Sequence, residues 1–223
     1  MAEEMQENKE PEQLEGEEVV EIEDAEGGSE ESNGKKLLKA GLGFLKSIII
    51  GVAIGVFLVL FVVSRKNVSG PSMNPTLTDG DVLFVQMIST YFNDFDRGDI
   101  VVLDGTDMDG YNHEEYLIKR IVGLPGETIK FENGKTYIKE VGASDFKELQ
   151  EDYLPEGTYT DVSYSGLKKG YNEVVLKDDE YFCLGDNRGI SNDSRILGPF
   201  TEDRIKGVSL IRVYPFSEFG TVK

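Results

Sequence analysis

Between Ile48 and Val63 the chain reads IIIGVAIGVFLVLFVV, sixteen residues without a charge. Extended back to Leu42 the run is 22 residues long and carries one charge, Lys46, near its start. As a helix rising about 1.5 Å per residue it spans roughly 33 Å, enough for the hydrocarbon core of a bilayer. A core helix would keep a polar face, and this segment has none. Lys46 sits where a long side chain snorkels to the interface. The reading is therefore one transmembrane helix. A cleaved secretory leader is the rival, since Val62-Val63-Ser64 offers a weak small-residue site. The apolar run exceeds 15 residues and follows a long acidic leader, both unlike such leaders.

Charge placement gives an orientation. Lys35, Lys36, Lys39 and Lys46 lie on the N-terminal side, against Arg65 and Lys66 on the other. Basic residues stay cytoplasmic and acidic ones count little, so residues 67–223 are expected outside the plasma membrane. Residues 1–34 hold 14 acidic residues and one basic residue, Lys9, with no aromatics. Such a segment buries too little surface to offset its ordering entropy and is expected to be a disordered cytoplasmic tail. The domain plan is then tail 1–34, basic flank and anchor 35–66, and an extracytoplasmic domain 67–223.

That last part reads as mainly β. Short segments rich in β-branched residues occur at Asp81–Gln86, Asp99–Leu103, Tyr116–Val122, Thr128–Phe131, Thr136–Lys139, Glu173–Leu176, Tyr181–Leu184 and Val208–Val213. Turn signals separate them, and Asn133-Gly134 is a hairpin turn. The expected fold is an antiparallel β-sheet domain, with a polar, variable excursion over about 140–172.

Composition excludes several chemistries. A net charge of −19 leaves no basic footprint for nucleic acid. One cysteine, Cys183, and one histidine, His113, leave no disulfide framework and no His/Cys metal site, and no cofactor is expected. His113 lies in a polar stretch with nothing to orient it. A serine nucleophile, one of the chemistries left open, would then need another base.

Three segments bear on this. Val68-Ser69-Gly70-Pro71-Ser72-Met73-Asn74-Pro75-Thr76-Leu77 constrains the backbone around Ser72, although a plain linker turn has the same residues. A serine hydroxyl needs a base. The period of two in Tyr116–Val122 puts Lys119 on one face with Leu117 and Ile121. Removing an ammonium from water lowers its pKa from about 10.4, and a pKa near 7 corresponds to about 4 kcal/mol. The other reading is a strand lysine that snorkels to solvent. The third segment, Gly185-Asp186-Asn187-Arg188-Gly189-Ile190-Ser191-Asn192-Asp193-Ser194-Arg195, can supply Asp–Arg pairs and a hydroxyl, or be a surface loop.

Taken in order, Ser72–Leu77, Arg97-Gly98-Asp99-Ile100-Val101, Lys119-Arg120-Ile121-Val122-Gly123-Leu124-Pro125-Gly126-Glu127 and Gly185–Arg195 strongly resemble the boxes of bacterial type I signal peptidases, in a Gram-positive-like form. The resemblance covers the anchor and most of 67–214. It implies a membrane-anchored serine endopeptidase with a β core of the signal peptidase and LexA-like kind, acting on signal-peptide-bearing preproteins. By position it implies Ser72 as nucleophile, Lys119 as general base and Ser191 as the hydroxyl that orients the base. Asp186 with Arg120, and Asp193 with Arg195, are implied as supporting ion pairs, with Arg188 in the same box. Gly70 stands where some members carry a serine that donates to the oxyanion hole, which leaves that hole to backbone N–H groups including that of Ser72. Signal peptides end in A-x-A-like sites, so shallow apolar pockets are expected, with Val68, Met73, Leu77 and Leu117 as walls. Phe92, Phe95, Phe216 and Phe219 are either lipid contacts or core. Two alternatives remain at this level: a LexA-like autoprotease, and a non-catalytic membrane-tethered β module.

Overall fold

The structure is a computed structural model that describes residues 29–93, 95–108, 116–160 and 172–222, without the side chains of 29–33 and 58–61. His113, residues 161–171 of the excursion and residues 1–28 of the tail lie outside these. Chain contacts separate Met1–Gly51 from Val52–Lys223.

Helix α1 runs Ser29–Phe61 and exposes its large apolar side chains from Leu37 to Phe57. Helix and apolar run coincide as expected, but both ends differ from the sequence boundaries. Its first described residue, Ser29, lies inside the acidic segment. The helix stops at Phe61, and Val63, expected at its end, opens strand β1 (Val63–Asn67) instead. There β-branched Val63 and Ser64 pair with Gln86 and Val85.

The remaining elements are β2 (Val82–Gln86), β3 (Ile100–Asp104), β4 (Tyr116–Gly123), β5 (Thr128–Glu132), β6 (Lys135–Lys139), β7 (Lys147–Glu148), β8 (Glu173–Val175), β9 (Glu180–Leu184), a single-turn α2 (Ser194–Leu197), β10 (Phe200–Thr201) and β11 (Ile205–Tyr214). A seven-stranded sheet has the order β1-β2-β11-β3-β4-β9-β10, and a four-stranded sheet the order β7-β6-β5-β8. Each recorded pairing is antiparallel, as expected of a mainly β domain. Asn133 and Gly134 both have positive φ, 51° and 76°, so the predicted hairpin joins β5 to β6.

Alternation along β4 feeds three cores. Leu117 and Ile121 pack with Val101, Leu103, Cys183 and Phe200. Val122 joins Ile129, Phe182 and Leu184. Ile118 leans on the cluster that contains Val68, Met73, Leu77 and Leu83. This strand is therefore held on both faces, and a side chain placed on it has little freedom.

Candidate active site

The period of two that buries Leu117 and Ile121 also buries Lys119, which is 2% exposed and paired across the sheet with Val101. Its Nζ lies 2.9 Å from Ser72 Oγ and 2.9 Å from the Ile118 carbonyl oxygen. The snorkelling alternative fails, since the side chain is buried with Nζ turned to the serine and the carbonyl rather than out to solvent.

Ser72 comes from the loop between β1 and β2. Val68 N–H donates to Asp81 O at 2.8 Å and Gly80 N–H to Val68 O at 3.1 Å, which fixes the start of the loop. Gly70 has φ +81°, a conformation L-residues disfavour, and its N–H donates to Asp79 Oδ1 at 2.8 Å. Met73 and Leu77 then anchor the far side in the core.

A cleft of about 260 Å³ opens beside the pair, and Val68, Gly70, Ser72, Met73, Leu117 and Lys119 are among its walls. Three of the four predicted wall residues are thus present. Leu77 is not among them: it is fully buried in the core beneath, four residues on from Met73 in the turn where its N–H bonds Met73 O. The sequence missed Tyr116, Ile190 and Asn192, which also line the cleft.

The Gly185–Arg195 segment folds into a network of buried charges. Arg120 donates from Nε and Nη2 to the two Asp186 oxygens at 2.9 and 2.7 Å, with both side chains essentially inaccessible. Thr76 Oγ1 donates to Asp186 Oδ2 at 2.5 Å, which ties this pair to the serine loop. Arg195 makes the same two-pronged contact with Asp193, at 2.8 Å on each side, and Asp193 Oδ2 accepts the Gly185 N–H at 3.0 Å. Asp193 also caps α2 through Arg195 N–H. The two ion pairs implied by the resemblance are both present.

Arg188 has partners that no sequence signal announced. Its guanidinium reaches Glu151, Thr160 Oγ1 at 2.7 Å and Tyr153 OH at 3.2 Å, and its Nε donates to Gly185 O at 3.2 Å. The Tyr153 ring also lies 3.9 Å from Arg120 Cζ. Part of the polar excursion thus packs against the Gly185–Arg195 box. Burial works against the Arg188 charge, but the Glu151 carboxylate more than restores it and holds the guanidinium above its usual range. Burial, then the Glu151 charge, pushes the Tyr153 phenol well above 10. A lone Glu-x-Tyr in a polar stretch carries no marker of this role.

Ser191 departs from the implied arrangement. It is buried, and its hydroxyl has no hydrogen-bond partner among the described residues. The structure brings Ser191 to the site without making the bond to the base. Phe95 is core, edge-on to Tyr181 at 5.5 Å, while Phe92, Phe216 and Phe219 are exposed.

Fold and site together define a class: an antiparallel β protein whose cleft presents a serine hydroxyl to a buried lysine amine. Residues 42–214 match the family model described as signal peptidase, peptidase S26. A signal peptidase I from Bacillus amyloliquefaciens is 38% identical over 192 residues, covering 82% of this chain and 94% of that one. Signal peptidase I S from Bacillus subtilis (strain 168) is 37% identical over 183 residues, covering 81% and 92%. Among solved structures, a signal peptidase I from Enterococcus faecalis V583 is 25% identical and covers 52% of this chain and 96% of that one, with a TM-score of 0.38. The chain belongs to the signal peptidase family, peptidase S26, and is a serine peptidase of the signal peptidase I type.

Proposed function

We propose that this chain is a membrane-anchored endopeptidase that removes signal peptides from secreted preproteins, with Ser72 as nucleophile and Lys119 as general base. The observation that carries the reading is the 2.9 Å separation of Ser72 Oγ and Lys119 Nζ, with the amine buried beside an open cleft. Burial disfavours the ammonium, so a neutral amine is available to take the serine proton. Ser72 Oγ attacks the scissile carbonyl carbon, and the charge on its oxygen is stabilised by backbone N–H groups. The lysine returns the proton to the departing amine as the C–N bond breaks. Water then loses a proton to Lys119 and attacks the acyl ester on Ser72; as the C–O bond to Oγ breaks, the lysine returns that proton to Oγ and the signal peptide leaves with a free carboxylate.

Two strand edges border the cleft. β1 pairs only with β2, and β4 pairs with β9 only from Arg120 onward among the described residues. An extended peptide adding to such an edge presents alternate side chains to the walls. Walls as close as Val68, Met73 and Leu117 suit small residues at the A-x-A positions. Anchored by α1 with its N-terminus in the cytoplasm, the domain works at the outer face of the plasma membrane, where the substrate is also tethered. Confinement of both raises their effective concentration.

The test is processing of a secretory precursor by the full-length protein. Ser72→Ala, Lys119→Ala and Lys119→Arg should each abolish cleavage, the last because a guanidinium cannot serve as base. Activity should fall in acid as the lysine takes up its proton. Normal processing by any of these variants, or a profile flat well into the acid range, refutes the dyad. Self-cleavage with no action on the precursor would identify an autoprotease instead.

A further inference from the structure

Gly70 has no side chain to donate to an oxyanion. That puts weight on the Ser72 N–H and on whatever holds it. Ser72 borders the cleft, and its N–H has no recorded acceptor among the described residues. Its direction is set by the peptide plane it shares with the Pro71 carbonyl. That bond is trans, so the N–H and C=O point in opposite directions.

Asn187 grips the peptide planes on both sides of the Ser72 Cα. Its side-chain Nδ2 donates to Pro71 O at 3.1 Å, and its backbone N–H donates to Ser72 O at 3.0 Å. Asn74 N–H also reaches Pro71 O, at 3.1 Å, but from within the same turn. Among the described residues, only Asn187 ties this carbonyl to another part of the fold. Asn187 is fixed in turn by its neighbours, because Asp186 is locked to Arg120 and Arg188 to Glu151.

Resting on the reading of Ser72 as nucleophile, we propose that the Asn187 side chain is a positioning residue for the oxyanion. By holding the Pro71 carbonyl toward the Gly185–Arg195 box, it turns the Ser72 N–H the other way, into the cleft where the tetrahedral oxygen forms. The contact matters more to the transition state than to substrate binding, because the charge arises only after attack.

The experiment uses the full-length enzyme with a precursor peptide. Asn187→Ala removes the side-chain arm and keeps the backbone N–H. Asn187→Asp keeps the shape but sets a carboxylate oxygen against Pro71 O. Removing an oxyanion donor outright costs about 10²–10³ in kcat, and with Asn74 still bonded the Ala variant should lose about 10- to 50-fold. Asp should lose at least as much, with KM within about two-fold in both. Affinity for a peptide aldehyde, whose adduct places an oxyanion at the same point, should drop by the same factor as kcat/KM. The acid limb of the pH profile should stay in place, since the lysine surroundings are untouched. A kcat within two-fold of wild type in both variants, a loss carried by KM, or an unchanged aldehyde affinity overturns the assignment. Ser72→Ala run alongside separates the two levels. If it still cleaves, the nucleophile reading itself fails; if it is inactive while the Asn187 variants turn over normally, only the Asn187 role fails.

Discussion

Gly185 is the position where one added carbon should cost this enzyme most. A Cβ there would stand 2.1 Å from Ser191 Oγ, 2.6 Å from Ser191 Cβ and 2.5 Å from the Ser72 carbonyl oxygen. The Ser191 hydroxyl can rotate away, since it has no hydrogen bond to lose among the described residues. The Ser72 carbonyl cannot rotate away, being backbone held by the Asn187 N–H. Relief to ordinary contact requires a retreat of about 1 Å, which carries Ser72 Oγ out of line with Lys119. Overpacking of this kind costs about 1–3 kcal/mol of stability, and a 1 Å misplacement at a reacting centre about 10²-fold in rate. Gly185→Ala should therefore lower kcat/KM for precursor cleavage about a hundred-fold while the protein still melts cooperatively, roughly 2–12 °C lower. Gly207→Ala is the matched control, since its Cβ would meet Val85 Cγ1 at 2.6 Å and Gln86 O at 2.7 Å, away from the cleft. It should lose comparable stability and little kcat. Wild-type kcat in a folded Gly185→Ala protein would refute the claim that the loop is braced against the serine backbone.

Asp186→Asn should lower unfolding free energy by about 3–5 kcal/mol in denaturant titration, because it leaves the Arg120 charge buried without its counterion. Asp81 is buried, which raises its pKa, but bonds from Thr78 and Arg212 outweigh that and hold it below the ordinary 3.8. Its contribution is present above that value and is lost as pH falls through the folded-state pKa. Asp81→Asn should thus cost about 1.5–3 kcal/mol at pH 7, with the gap to wild type closing once the pH drops below 3.8. Burial, then the Asp193 charge, pushes the Cys183 thiol well above its usual 9.0. Iodoacetamide should leave it unmodified in the native protein and alkylate it fully in denaturant, by mass spectrometry.

Sequence legibility followed the range of the interactions. The α1 helix and eight of the eleven strands were visible because apolar period is a local signal, and the same period placed Lys119 on a buried face; β1, β7 and β10 were not. Element ends were less visible: β1 begins where the apolar run ends, and only pairing with β2 decides that Val63 is extended. Leu77 looked like a cleft wall because it follows the serine closely, yet the turn at Met73 sends it into the core. The acid–arginine pairs were legible as a composition, whereas their partners Glu151, Tyr153 and Thr160 were not. Those contacts join positions 28 to 37 residues apart through polar side chains that have no period. Asn187 was in plain sight within its box, but its importance lies in two backbone carbonyls, and carbonyls leave no mark in a sequence.

Lys119 and Arg120 are adjacent basic residues, both buried, and the strand gives them opposite fates. Alternation sends Arg120 to the face where Asp186 completes a two-pronged pair and Gly98 O accepts a third bond at 2.9 Å. A guanidinium keeps its proton at any physiological pH, so this burial is tolerable only with the charge matched. Lys119 instead meets a serine hydroxyl and a carbonyl oxygen. An amine can shed its proton, which a guanidinium cannot. The pairing of Ile100 with Arg120 and Val101 with Lys119 fixes which basic side chain goes where. A slip of one residue in β4 would exchange their faces, leaving Asp186 opposite the lysine and the serine opposite a permanent cation. The Arg120–Asp186 pair thus guards the register of the neighbouring amine, and the proposed role of Lys119 as base rests on an arginine that never loses its charge.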